Sequence, residues 1–135
     1  MRKRQAVALV KKYRVIIPQN VQPVPERFEV SAASLLLEFF KADIQFLPVM
    51  SMRTPDIEVA GEKWEIKSPI GGGKYTIQRQ FQRAAKQSKN IVIDARRIKI
   101  HIARVRREVA YQAGLAKSIA QVLLIEKTGK VVRIK

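Results

Sequence analysis

Thr54-Pro55-Asp56-Ile57-Glu58-Val59-Ala60-Gly61-Glu62-Lys63-Trp64-Glu65-Ile66-Lys67-Ser68-Pro69 is the stretch on which the reading of this chain turns. Residue character alternates with period two on both sides of Ala60-Gly61, which predicts a β-hairpin closed by a two-residue loop. In that register Val59 faces Glu62, Glu58 faces Lys63, Ile57 faces Trp64 and Asp56 faces Glu65. Directly opposed residues of an antiparallel pair hold their Cβ atoms only about 4.5–5.5 Å apart. Because side chains alternate across a strand, Asp56, Glu65 and Lys67 share one face, while Ile57, Val59, Trp64 and Ile66 share the other. The second face is apolar and is expected to pack on helices.

Two carboxylates so placed repel each other and destabilise the hairpin unless something offsets the repulsion. A divalent cation does so, and hard oxygen ligands suit magnesium or manganese, with zinc also compatible. Lys67 places an ammonium at the rim of the same site, where it can activate water or stabilise charge developing on a phosphate. Metal, nucleophile generator and charge stabiliser together are what metal-assisted phosphodiester hydrolysis requires. An isolated Glu-x-Lys is a common pattern of solvent-facing strands. Here the hairpin register and the Pro55-Asp56 dipeptide place a second acid opposite Glu65, which favours the catalytic reading.

Working outward, Asn90–Asp94 is a short apolar run of the buried-strand type, and Ile44–Pro48 reads as a strand ended by Pro48. Glu29–Phe40 is predicted as a helix, with Ala32, Leu35, Leu36 and Phe39 recurring at helical spacing. Tyr75–Lys89 and Ile98–Ala113 are two more helices, the second ended by Gly114. His101 falls within the last helix amid apolar residues and reads as a packed side chain. Gln121–Glu126 and Lys130–Ile134 form a second hairpin around Thr128-Gly129. Tyr13–Pro18 is a short extended piece, and residues 19–27 are a connector punctuated by Pro23 and Pro25. The order predicts one α/β or α+β domain with a mixed sheet. Residues 1–27 are expected to be a basic N-terminal helix and connector packing on a domain spanning 28–135.

Composition bounds the partners. The 135 residues carry 27 Lys+Arg against 11 Asp+Glu, a formal net charge of +16, which attracts polyanions, nucleic acid first among them. There is no cysteine and a single histidine, which excludes disulfides, thiolate zinc sites and paired-histidine catalysis. No run approaches the length of a membrane-spanning helix, so membrane insertion is not expected. Arg96-Arg97, Lys99, Arg104, Arg106 and Arg107, with Arg2-Lys3-Arg4 and Lys11-Lys12, are the candidate phosphate-gripping surface. Lys74 in the Gly71-Gly72-Gly73 loop, Thr76 and Gln80 at the start of the next helix, and Gln87 near its end are further nucleic-acid-binding candidates.

Pro55-Asp56 followed by Glu65-Ile66-Lys67 resembles the Pro-Asp…(Asp/Glu)-x-Lys signature of the PD-(D/E)XK nuclease superfamily. More narrowly, the run from about Phe28 to Arg97 resembles the tRNA-cleaving toxin domains at the C-terminus of contact-dependent growth inhibition proteins. The shared features include Phe28-Glu29, Phe46-Leu47-Pro48, Gly61–Pro69, the Gly-rich loop, Thr76-Ile77, Ala84–Ser88 and Ile91–Asp94. The resemblance implies a restriction-endonuclease-like α/β fold, a mixed sheet flanked by helices. It assigns Asp56 and Glu65 to the metal, Lys67 as the catalytic lysine and Glu29 as an outer acid acting through water. It also implies tRNA in preference to DNA as substrate, an acidic immunity protein as partner, and a cytoplasmic site of action, with delivery from another cell compatible with it. The chain opens with its own Met, and the stretch to about residue 20 has no counterpart in those domains. A stand-alone gene on a mobile element suits that start equally well. A non-catalytic basic nucleic-acid-binding module and a DNA endonuclease of a mobile element are the alternatives.

Overall fold

The computed structural model describes residues 12–51 and 53–135. The expected basic helix at the extreme N-terminus lies outside the described residues. Ala60 and Gly61 both take left-handed backbone conformations, with φ of 48° and 83°. That is the geometry a two-residue hairpin loop demands. On either side of it β3 (Ile57–Val59) and β4 (Glu62–Lys67) pair as the alternation predicts, Ile57 opposite Trp64 and Val59 opposite Glu62.

Seven strands form one mixed sheet whose spatial order is also their chain order. β1 (Val15–Ile16) runs parallel to β2 (Ile44–Phe46), and β2 is antiparallel to β3. β4, β5 (Asn90–Asp94) and β6 (Gln121–Ile125) are mutually parallel, and β7 (Val131–Arg133) closes the sheet as an antiparallel hairpin partner of β6. The parallel strands need crossovers, which α2 (Thr76–Ala84) and α3 (Ile102–Leu115) supply, while α1 (Arg27–Phe40) joins β1 to β2.

Both faces of the sheet are covered. α1 lays Ala32, Ala33, Leu36 and Leu37 against Ile57, Val59, Trp64, Ile66, Val92, Leu123 and Ile125. On the opposite face Ile77 and Phe81 of α2 and Val105, Val109 and Ala113 of α3 pack on Ile91, Ile93, Val122 and Leu124. Trp64 is fully buried with its ring edge-on to Phe40, the centroids 5.2 Å apart. The buried stripe of α1 is rotated from the expected Ala32, Leu35, Leu36, Phe39: Leu35 and Phe39 are only half-buried. Leu35 instead packs under the β6–β7 turn, where a Cβ on Gly129 would come within 3.5 Å of it.

The ends of α2 and α3 differ most from the sequence expectation. α2 ends at Ala84, five residues early, because Ser88 and Asn90 turn back to bond the Lys63 carbonyl at 2.9 and 3.0 Å and start β5. α3 begins at Ile102, since Ile98 and Ile100 are buried in the segment before it. His101 is therefore an exposed N-cap, its Nδ1 accepting from the Ala103 N–H at 3.2 Å, and not a packed helical side chain. Gly114 lies inside α3, which ends at Leu115.

Candidate functional site at the end of the first hairpin

The backbone ladder of the hairpin reaches one residue beyond β3. There Leu47 N–H donates to the Asp56 carbonyl at 2.9 Å, and Asp56 N–H donates to the Trp64 carbonyl at 3.1 Å. The next donor along β4, Ile66 N–H, is taken by the Asp56 side chain, with Oδ2 accepting at 2.7 Å. Asp56 is thereby held against β4 by its own carboxylate, beside Glu65. Glu65 lies opposite Ile91 of β5, on the face covered by α2 and α3, and is only 2% exposed. One of its oxygens, Oε2, sits 3.0 Å from Lys67 Nζ; the other, Oε1, is buried without a hydrogen-bond partner.

These surroundings set the protonation of the pair. Burial, then the adjacent Asp56 charge, push the Glu65 carboxyl up to about 8, with Lys67 opposing. Asp56 is also raised, by burial first, although the Ile66 N–H and Lys67 favour its ionised form. Two carboxyls this close in a dry site share one proton near neutral pH. Glu29 is raised as well, by partial burial and by the Asp56 and Glu26 charges. It does not open α1 but sits at its third position, where Oε1 accepts from the Glu26 N–H at 2.8 Å. It thus closes the helix N-terminus while facing the small cleft, about 140 Å³, that Glu26, Glu29 and Asp56 line together with Val21, Phe46 and Leu47.

Among the described residues no group of three or more His, Cys, Asp or Glu side chains is placed to hold a metal. The two carboxyls that do converge are the donor type that suits a hard cation which keeps most of its waters. Magnesium is commonly bound in that way, by one or two carboxylates. The unpartnered Glu65 Oε1 fits such a role.

On the far side of Lys67 a groove of about 560 Å³ is lined by Arg53, Lys67, Arg83, Lys86 and Gln87. Gln87, a nucleic-acid-binding candidate from the sequence, lines this groove. Arg53, Arg83 and Lys86 were not singled out from sequence. The available signal was the spacing of Arg83, Lys86 and Gln87, which puts three polar side chains on one side of the chain leaving α2.

Other candidates go elsewhere. Arg96 departs from the phosphate-binding expectation. Its guanidinium grips buried Asp94 through Nε at 2.9 Å and Nη2 at 2.8 Å and also donates to Ser31 Oγ at 2.6 Å, tying α1 to β5. Arg97 is exposed, stacks 3.9 Å above the Phe28 ring and donates to the Ser68 carbonyl. Lys74 is exposed over the Tyr75 ring, whereas Thr76 is buried against the glycine loop. Gln80 is half-buried on α2. Arg104 and Arg106 are not open phosphate ligands either, being paired with Glu108 and Glu126 at 2.7 Å each.

A mixed sheet carrying a desolvated Asp–Glu pair and a lysine at a strand end, bordered by a cationic groove, defines a basic α/β domain with a charged, partly dry site. The sequence profile of the family described as "Contact-dependent growth inhibition CdiA C-terminal domain" matches residues 53–131, more than half of the chain. The chain belongs to that family. No curated protein matches it in sequence. Its fold is similar to a solved structure described as a CdiA-CT/CdiI toxin and immunity complex from Burkholderia pseudomallei. The TM-score is 0.59 at 17% identity, covering 91% of this chain and 98% of that one. No helix among the described residues is long and apolar enough to cross a membrane.

Proposed function

We propose that this contact-dependent growth inhibition domain is a toxin of the PD-(D/E)XK type that hydrolyses phosphodiester bonds in RNA, tRNA being favoured over DNA. The observation that carries the reading is the convergence of Asp56, Glu65 and Lys67. Glu65 is buried and raised to about 8, and Oε1 lacks any donor but the proton it shares with Asp56, a costly arrangement in a sheet strand that serves no further purpose. A divalent cation, when bound by Asp56 and Glu65, supplies Lewis-acid stabilisation of the phosphate and favours ionised water. Asp56, oriented by the Ile66 N–H, and Glu65 would hold that cation. Lys67, leaning on Glu65 at 3.0 Å, orients water or steadies negative charge on the phosphate. Glu29 adds a carboxyl at the cleft side of Asp56, within reach through water.

Family membership supports the toxin reading. The similar Burkholderia pseudomallei structure, being a toxin with its immunity protein, supports an immunity partner for this chain too, and the net charge of +16 favours an acidic one. The strong positive charge would speed that association. The site of action is then the cytoplasm of the cell that receives the domain.

The test is incubation of the purified protein with total RNA and, in parallel, plasmid DNA, with magnesium or manganese and with EDTA. Metal-dependent loss of discrete tRNA bands, absent in Glu65→Ala, is expected. Cleavage of plasmid alone would overturn the RNA assignment. Undiminished activity in folded Glu65→Ala would overturn the site.

A further inference from the structure

The groove beside Lys67 has a charge pattern that the carboxyl pair does not explain. Its five lining residues include four cations and an amide, and no carboxylate. Among the described residues none of Arg53, Arg83 and Lys86 is in an ion pair. Helix α2 accounts for part of this, since its C-terminal dipole favours Arg83 and Lys86. It does not account for Arg53, which comes from the separate loop between β2 and β3 and converges on the same concavity. On the other side of Asp56 the sign reverses, because Glu26, Glu29 and Asp56 line the smaller cleft. A polyanion crossing the site meets cations on one side and none on the other.

We propose that the groove lined by Arg53, Arg83, Lys86 and Gln87 is the strand-binding subsite. It would hold the phosphates of a single polynucleotide strand immediately beside the bond at Lys67. This rests on the nuclease reading above and adds the path of the substrate to it. Arg53 contacts one phosphate from the loop, and Arg83 and Lys86 contact its neighbours from the end of α2. Gln87, which can donate and accept at once, faces the ribose hydroxyl or a base edge. These are positioning residues; the reaction itself stays with Asp56, Glu65 and Lys67.

Each phosphate neutralised on a single strand contributes about 0.7 to the slope of log affinity against log salt. The experiment measures binding of a fluorescent single-stranded RNA oligonucleotide by the Glu65→Gln protein over a range of salt. Arg53→Ala, Arg83→Ala and Lys86→Ala are added singly and together, with Lys127→Ala on the β6–β7 turn as control. Each groove variant should lower the slope by about 0.7, and the triple variant by about 2. That corresponds to roughly five-fold weaker binding per contact at 0.1 M salt, converging on the parent at 1 M. In the wild-type Glu65 background the same variants should raise KM for RNA with kcat retained, and Arg83→Lys should keep the parental KM and salt slope. A triple variant with the parental slope, or an equal loss in Lys127→Ala, would sink the assignment while leaving the nuclease reading untouched. Groove-dependent binding without any RNA cleavage by the unmutated protein would do the reverse.

Discussion

Replacing Glu65 by Gln should make the metal-free protein more stable above neutral pH while abolishing its activity. In the folded chain Glu65 ionises near 8 rather than near its ordinary 4.5, because it is buried beside Asp56. A carboxyl raised on folding stabilises the native state fully below its unfolded value, and that contribution is lost as pH rises towards the folded one. Between those limits the loss is about 1.4 kcal/mol per pH unit, so about 2–3 kcal/mol disappears from pH 6 to pH 8. Gln is close in shape to the protonated acid and does not titrate, so its stability lacks this slope. For a chain of 135 residues 1 kcal/mol is worth about 3–5 °C in Tm, so the variant should gain roughly 6–15 °C on the wild type over that interval. Thermal unfolding in EDTA at pH 6, 7 and 8 measures the gap directly. Added magnesium should then raise the Tm of the wild type at pH 8 and leave Glu65→Gln unmoved, since binding to the native state stabilises by mass action. Parallel pH profiles for the two proteins in EDTA would refute the assignment of Glu65 as a desolvated, proton-sharing carboxyl.

Arg96→Ala should destabilise by about 3–5 kcal/mol, because it strips Asp94, 1% exposed, of its ion-pair partner in the interior. Urea unfolding would show the loss, and an unchanged salt slope for RNA binding would separate this structural role from phosphate contact. Ala60→Asn should stabilise by roughly 0.5–1 kcal/mol, since Ala60 is held at φ 48°, where Asn is better tolerated. Its cleavage rate should match the wild type, and a lower Tm would contradict the hairpin geometry.

Much of the fold was legible because the informative interactions are local. The period-two alternation around Ala60-Gly61 fixes the hairpin register, and that register alone brings Asp56, Glu65 and Lys67 to one face. The apolar run Asn90–Asp94 announces a strand buried on both sides. Helix ends were less legible. Sequence periodicity continues past Ala84, yet the chain turns there because Ser88 and Asn90 bond the Lys63 carbonyl, a contact with a strand 25 and 27 residues away. His101 looked packed because its neighbours are apolar, but those neighbours precede the helix that it caps.

The charge sites divide along the same line. Sequence by itself determined which residues could do the chemistry: an acid pair opposed across a hairpin, a lysine two positions on, and a large cationic excess to attract a polyanion. Only the tertiary structure decided their electrostatics. Glu65 and Lys67 were expected on a face opposite the helices, but α1 covers one face of the sheet and α2 and α3 the other. Glu65 is therefore dry, and desolvation, which depends on what packs over a residue rather than on its neighbours in the chain, raises its carboxyl. Long-range placement likewise decided which cations are committed and which are open. Arg96 pairs locally with Asp94, two residues before it, but only the fold brings it to Ser31 of α1, and Arg53 and Lys86, distant in sequence, meet across a groove beside Lys67.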